Sequence, residues 1–343
     1  MYILHTFGIR NIFLSWPAFI AMRDRSHLDA GDVSLRRFSE SDYPDLLDLY
    51  NSIYPYVVKT LEEQRHMDSI GFSSASLHRW VAEVDGEIVA SCQYQNDLWD
   101  YHPKRFDFSI KVMPSCQGQG IGSLLYDFIM EKVSALGAQS VFSWFVDSDP
   151  RNARFLSTRG FTEARRNVFF KIDLTKWHHD ESLDRTGELA GKGILIMTLK
   201  EFMEGDDWEE RLYDLDREVA FDTPGVTSVP AFEIWKKEIF DSENLVPDGY
   251  FLAVKGDMAV GTTNVFRREA NNALEIGFTA VRREYRGMGI ATTLKLRSML
   301  SASDLGARYL ITDNEENNKA IVSLNRRLGF RRVTDWVKYE KGL

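Results

Sequence analysis

The chain has 343 residues, of which 44% are apolar and 13% aromatic, and its formal charge is −9. This length and composition predict a globular protein of about two domains. The acidic balance argues against general nucleic-acid binding. Two cysteines are too few for a disulfide framework or a cysteine zinc site, which favours a reducing cytoplasm.

Residues 2–22 form a largely apolar stretch that could be mistaken for a targeting signal. The stretch has no basic start, and Arg10 and Asn11 interrupt it well before the roughly 20 apolar residues of a membrane span. We therefore expect residues 1–30 to be an extension packed on the first domain, with no membrane association.

The predicted elements follow one order twice. In the first half, strands are predicted near 33–38, 80–84, 88–94, 106–112 and 141–146, and helices toward Tyr50 and over 121–136 and 152–158. In the second half, strands are predicted near 194–199, 251–254, 258–266, 274–281 and 309–313, and helices near 207–220, 289–302 and 318–328. This order predicts an α/β fold with a mixed sheet (α+β).

An internal repeat relates the two halves. The run QGQGIG begins at Gln117, and RGMGIA begins 169 positions later at Arg286. The same offset relates the two LGA runs, at 136 and 305, and the two GF pairs, at 160 and 329. A repeat unit this long predicts tandem domains rather than a solenoid. We place them at 31–175 and 193–343, joined by a polar linker over 176–192.

The second glycine run suits a diphosphate. Glycines allow the backbone N–H groups to close on an anion, and the following helix start adds partial positive charge. Arg282, Arg283 and Arg286 are expected to add formal charge around it. The spacing matches neither a Walker loop nor a dinucleotide fingerprint, which argues against a nucleotide-dependent kinase or dehydrogenase.

The pattern [QR]-x-x-G-x-[GA] between a strand and a long helix, with a short helix ending in Gly-Phe about 40 residues later, resembles the GNAT superfamily of acetyl-CoA-dependent N-acetyltransferases. The resemblance covers nearly all of residues 31–343, and the tandem arrangement is similar to that of mycothiol synthase. It implies two GNAT-like acyl-CoA N-acyltransferase domains. The coenzyme contacts it implies in the second copy are Val281, Arg286, Gly287, Met288, Gly289, Ile290 and Ala291, with counterparts Gln117, Gly118, Gly120, Ile121 and Gly122.

The resemblance also implies the catalytic residue. An amine acceptor must lose a proton before it attacks a thioester, and Glu275 lies on the strand that carries such a base in the superfamily. A constant offset places Phe106 opposite Glu275, with Asp107 expected on the other face of its strand. We therefore expect the second copy to be catalytic and the first structural or regulatory, with weak coenzyme binding left open.

The proton donor to the leaving thiolate is left open. Asn325 occupies the position where many family members place a tyrosine acid; it can bind coenzyme A but cannot donate as an ordinary acid. Tyr285, Tyr339 and water are the alternatives. Asn314 and Asn318 resemble coenzyme-binding positions, and Asn318 is equally suited to cap a helix.

The expected function is acetyl transfer from acetyl-CoA to a primary amine of a small molecule or peptide. Acidic and aromatic residues of the insert 221–250, such as Asp222 and Trp235, favour a cationic acceptor. The alternative is a non-catalytic acyl-CoA sensor or assembly module. No metal site is predicted, since His178 and His179 lack spaced partners, and Cys116 is expected to be an unreactive small residue.

Overall fold

The computed structural model describes residues 32–54, 58–73, 76–268 and 272–343. The extension predicted for residues 1–30 lies outside the described residues. Within the described ranges, no helix combines the length and apolarity needed to cross a membrane.

Twelve strands and ten α-helices are present in this part of the chain. The strands are β1 (Ser34–Arg37), β2 (His78–Val84), β3 (Glu87–Gln95), β4 (Arg105–Val112), β5 (Ser140–Val146), β6 (Thr162–Asp173), β7 (Ile194–Thr198), β8 (Phe251–Lys255), β9 (Met258–Arg268), β10 (Ala273–Val281), β11 (Tyr309–Glu315) and β12 (Arg331–Gly342). The helices are α1 (Tyr43–Ile53), α2 (Leu61–Ser73), α3 (Ile121–Ala135), α4 (Pro150–Ser157), α5 (Thr186–Ala190), α6 (Leu199–Phe202), α7 (Trp208–Ala220), α8 (Phe232–Phe240), α9 (Ile290–Asp304) and α10 (Lys319–Arg327).

The predicted strands and helices are present, each within a few residues of its expected bounds. Asp85 and Gly86 both have positive φ, at 53° and 79°, and join β2 to β3 as the Asp-Gly signal predicts. The sequence analysis did not identify β6, β12, α2, α5, α6 or α8. The two missed strands determine how the copies join.

All strands belong to one mixed sheet in the order β1-β2-β3-β4-β5-β12-β6-β11-β10-β9-β8-β7. The last strand of each copy lies between strands of the other, because β12 pairs with β5 and β6 pairs with β11. At the centre β6 and β12 pair antiparallel, with Asn167 opposite Trp336, its counterpart in the repeat. The copies are thus related by an approximate two-fold axis at this pair.

Each exchanged strand completes the core of the other copy. On β6, Val168 and Phe170 are buried with Leu296 and Met299 of α9. On β12, Val337 is buried in the cluster formed by β4, β5 and α3. Helices α3 and α9 cover these core faces, whereas α1, α2, α7 and α8 lie over the opposite face, where α2 contacts α8. The described chain therefore has one continuous sheet rather than two separate ones.

A buried carboxyl group in the second copy gives a prediction about stability. Asp216 on α7 is 4% exposed, and its Oδ2 accepts a hydrogen bond from Nε1 of Trp235 at 3.0 Å. Its Oδ1 has no partner among the described residues. Burial raises the pKa of Asp216 to about 7, from an ordinary value of 3.8. The folded state therefore favours the protonated carboxyl group. The free energy of unfolding falls as pH rises from about 4 to about 7, because the buried group then has to ionise.

Asp216→Asn is expected to be more stable than the parent chain at about pH 8, by at most about 4 kcal/mol, because the amide never ionises. The difference should vanish below about pH 4. Urea unfolding across this pH range measures it, with the exposed Asp127→Asn as control. A stability difference that does not change with pH would contradict burial of an ionisable group as its cause.

Candidate active site

The two glycine loops have the same backbone conformation. Gly118 and Gly287 have φ of 81° and 78°, and Gly120 and Gly289 have φ of 87° and 88°. Each loop leads directly into a long helix, α3 or α9. Because the first N–H groups of a helix have no intrahelical acceptor, both loops present free donors to an anion.

The first side chain of each loop braces the preceding strand. Nε of Arg286 donates to the carbonyl of Val281 at 2.9 Å, and Nε2 of Gln117 donates to the carbonyl of Val112 at 3.0 Å. Arg286 also forms an ion pair with Asp222. Both side chains therefore have a structural role in holding the loop, whatever they contribute to binding.

The three arginines that were expected to add formal charge around the loop are all paired with carboxylates. Arg283 pairs with Asp222, which also pairs with Arg286, and the buried Arg282 pairs with Asp214 and Glu218. These carboxylates follow or belong to α7, which packs beside the loop. Most of the arginine charge is therefore neutralised within the protein.

Two other arginines lie at the start of α9. Arg327 of α10 donates to Oγ1 of Thr292 at 2.8 Å. The stem of Arg185, in the linker, lies so close to Gly289 that a Cβ there would be 2.6 Å from its Cδ. Both arginines line a cavity of about 520 Å³, the coenzyme-loop cavity, together with Val281, Gly287, Gly289, Ile290 and Ala291. The sequence analysis missed Arg185 and Arg327 because only the fold brings them to the loop.

The cavity leads to a fork between two parallel strands. β10 and β11 pair only from Ala273 to Glu275, opposite Tyr309 to Ile311. Beyond this point β10 stays with β9, while β11 stays with β6. An extended ligand can therefore enter between the separating strands, as the resemblance implies for the pantetheine arm of coenzyme A.

Glu275 lies at the apex of this fork. Its side chain is 16% exposed, and its Oε2 accepts from Nε of Arg268 at 2.5 Å. Arg268 also pairs with Glu63 of α2, so the first copy contributes to the surroundings of Glu275. Glu275 does not line the 520 Å³ cavity itself.

The counterpart of Glu275 in the first copy is Asp107, and matching it to Phe106 by a constant offset was wrong. In the strand register, Glu275 lies opposite Ile311 of β11, and Asp107 lies opposite the equivalent residue of β5, Phe142. The difference arises because β10 contains a bulge between Ile276 and Thr279 that β4 lacks. Each copy therefore carries a carboxylate at the apex of its fork.

A second carboxylate, Asp313 on β11, lies beside Glu275. Nδ2 of Asn167 donates to its Oδ2 at 2.8 Å. Burial and then the charge of Glu275 raise the pKa of Asp313. The sequence analysis did not identify Asp313, whose counterpart in the repeat is Trp144.

The predicted asparagines have internal partners. Asn325 is fully buried, accepts from Nζ of Lys295 at 2.6 Å and donates to Oδ1 of Asn314 at 2.6 Å. Burial lowers the pKa of Lys295 to about 7. Asn318 caps α10 and also lines the coenzyme-loop cavity. Both roles suggested for Asn318 are thus compatible with its position.

The two candidate tyrosines lie in different copies of the site. Tyr285 lines the cavity at the second glycine loop. Tyr339 is on the exchanged strand β12 and packs against Phe145 in the first copy's core. Met288 packs with Val281 and Ile290. Of the two tyrosines, Tyr285 is the one placed beside the second loop.

The insert between α7 and β8 is largely structural. Trp235 is fully buried, Asp222 pairs with the loop arginines, and the exposed Asp248 lies 3.7 Å from Nζ of Lys200. These three residues therefore form no free acidic patch for a cationic acceptor. Within the described residues, no group of three or more His, Cys, Asp or Glu side chains is placed to hold a metal ion.

Comparisons with known proteins agree with this arrangement. A family model described as acetyltransferase (GNAT) family matches residues 43–161 and 209–330. The chain belongs to this GNAT family of acetyltransferases. An N-alpha-acetyltransferase 30 of Schizosaccharomyces pombe is 30% identical over 97 residues, which are 27% of this chain and 64% of that relative.

Solved GNAT structures share the tandem fold. A tandem GNAT protein from the clavulanic acid biosynthesis pathway is 18% identical and has a TM-score of 0.67, with 90% of this chain and 98% of that chain covered. A GCN5-related N-acetyltransferase from Sphaerobacter thermophilus is 20% identical with a TM-score of 0.66, covering 91% and 96%. At these identities the likeness concerns the fold.

Proposed function

We propose that this GNAT protein transfers an acetyl group from acetyl-CoA to a primary amine of a small molecule or peptide. We propose further that the reaction takes place in the second copy, residues 193–343, with Glu275 as the general base. The linker over 176–192 and the first copy, residues 31–175, then enclose the site. The observation that carries the proposal is the fork of β10 and β11, which leads from the α9 N-terminus to Glu275 and Asp313.

Three differences between the copies support assigning the reaction to the second. Asp313 of the second copy is replaced by Trp144 in the first. Tyr285 lines the loop cavity, whereas its counterpart Cys116 is buried in a core cluster. Arg327 adds a charge at the α9 N-terminus, and Thr158 occupies the matching position in the first copy.

The loop residues fit an acyl-CoA diphosphate. Gly287 has open space above it, so that an anion can approach the backbone, and the first N–H groups of α9 can donate to its oxygens. Arg185 and Arg327 are positioned to add charge–charge attraction. When bound, acetyl-CoA supplies the acyl group to be transferred.

At the fork, the residues of the chain provide proton transfer. An amine with a pKa near 10 is mostly protonated at neutral pH, and an ionised carboxylate can accept its proton. Arg268 holds the Glu275 carboxylate in place through an ion pair. Asp313, with its raised pKa, is suited to share or return a proton. Tyr285 is the candidate donor beside the loop.

The sensor alternative also has an observation in its favour. Glu275 is already paired with Arg268, and the buried Asn325 replaces the acid of many family members. A protein with these features is able to bind acyl-CoA without catalysing transfer.

The test combines thiol release with calorimetry. Free coenzyme A is measured during incubation with acetyl-CoA and a panel of amino acids, polyamines, aminoglycosides and peptides with a free N-terminus. We expect amine-dependent thiol release with at least one class of amine. Tight acetyl-CoA binding with no release above the amine-free rate for every class would favour the sensor.

A further inference from the structure

The first copy contains a polar cavity that the proposed function does not use. This N-terminal cavity, of about 310 Å³, lies between α1, α2, β3 and β4 and is closed on one side by α8 of the second copy. Its volume is at the lower end for small-molecule sites and holds roughly ten non-hydrogen atoms at about 30 Å³ each. Asp107, the counterpart of Glu275, lines it.

One end of the N-terminal cavity is basic. Nζ of Lys59 and Nζ of Lys111 lie 4.5 and 5.8 Å from the centre of the Tyr50 ring. Nζ of Lys111 donates to Oγ of Ser109 at 2.7 Å. Neither lysine forms a salt bridge within the described residues. Burial lowers the pKa of both lysines, that of Lys111 to about 7.

The ion pair next to these lysines does not neutralise them. Arg79 contacts both oxygens of Asp68, at 2.5 and 2.7 Å, and both side chains are 4% exposed. This bidentate pair satisfies its own charges. Glu63, the other carboxylate near Lys59, is likewise held by an arginine, Arg268, so neither acid forms a salt bridge with the two lysines.

The other end of the N-terminal cavity is acidic. Asp107 lies four residues before Lys111 on the same face of β4, about 13 Å away along the strand. Its carboxylate makes no hydrogen bond or salt bridge with a described residue. Burial and then the charge of Asp97 raise the pKa of Asp107 to about 7. Glu238 of α8, whose pKa burial also raises to about 7, accepts from Nε1 of Trp99.

Opposite charges at two ends of one cavity define the ligand. We propose that the N-terminal cavity binds a small zwitterion, with its ammonium group at Asp107, Asp97 and Glu238 and its carboxylate at Lys111 and Lys59. Partly buried charged groups that lack an opposite charge in contact are costly, and a ligand that supplies the counter-charge at both ends relieves both costs. A simple amine or a simple acid relieves only one. The proposal does not depend on turnover in the second copy.

Calorimetry on the full chain near neutral pH tests this, with glycine, 4-aminobutanoate and 6-aminohexanoate as probes. Each ω-amino acid is compared with the alkylamine and the alkanoate of the same chain length. We expect at least one ω-amino acid to bind with 1:1 stoichiometry, at least about tenfold more tightly than either control compound.

Variants at both ends locate the site. Lys111→Met and Asp107→Asn should each weaken binding at least about tenfold, whereas the exposed Lys104→Met and Asp127→Asn should not. Glu275→Gln should bind the probe as the parent does, which separates this site from the proposed acceptor site. Near-UV circular dichroism checks that each variant is folded, and the two variants at opposite ends provide independent tests.

Three results would overturn the proposal. The first is that no ω-amino acid binds at about 10 mM, a concentration that would reveal even weak sites. The second is binding that neither Lys111→Met nor Asp107→Asn weakens. The third is binding that Glu275→Gln abolishes, which would place the ligand in the second copy.

Discussion

Glu275→Gln is expected to lower kcat by about 10²- to 10⁴-fold, the range found when a general base is removed. The amide keeps the size of the side chain and a contact with Arg268, but it cannot accept a proton from the amine. Initial rates of thiol release with the best amine measure the effect. Calorimetry with acetyl-CoA should show unchanged affinity, because Glu275 does not line the coenzyme-loop cavity.

Three carboxylates at other positions make this test specific. Asp313→Asn asks whether the neighbour of Glu275 accepts the proton instead, and the exposed Glu131→Gln serves as an inert control. Unchanged turnover in Glu275→Gln at every pH, with a large loss in Asp313→Asn, would transfer the role to Asp313. If Asp107→Asn lost as much turnover as Glu275→Gln, the reaction would not be confined to the second copy.

Local features of the fold were predictable from the sequence, and the joining of the copies was not. The Asp85-Gly86 hairpin and the helices after the glycine loops depend on turn chemistry and periodicity within a few residues. The exchange of β6 and β12 depends on which copy's core buries Val168 and Val337. That choice is a matter of tertiary packing, which an alternating pattern does not specify.

The same division applies to the site. The glycine loops were predictable because their positive φ values are a local property. The neutralisation of Arg286 was not, because its partner Asp222 is distant in sequence and reaches the loop only through the packing of α7. The bulge in β10 also prevented the sequence comparison from matching Glu275 with Asp107. It adds one residue to β10, so the repeat offset of 169 applies at Val281 and Val112 but not before the bulge.

Replacing Gly287 and Gly289 together with alanine is expected to lower kcat/KM for acetyl-CoA by about 100-fold. A side chain at these positive φ values costs about 1 to 2 kcal/mol each and places a methyl group where the anion approaches the backbone. A Cβ at position 289 would lie 2.6 Å from Cδ of Arg185 and would therefore also displace that side chain. The loss should appear in the affinity for acetyl-CoA, measured by calorimetry.

The repeat offers a matched control in Gly118 and Gly120, whose φ values lie within a few degrees of those of their counterparts. Because the φ values match, both double variants should carry similar backbone strain, and urea unfolding measures the additional cost of displacing Arg185 in the second-copy pair. The loss in kcat/KM should be at least about tenfold larger for the second-copy pair, since only that loop is proposed to hold the acetyl donor during turnover. A larger loss in kcat/KM for the first-copy pair would instead place the reaction at the fork that carries Asp107. The second copy, with Glu275, would then have the supporting role.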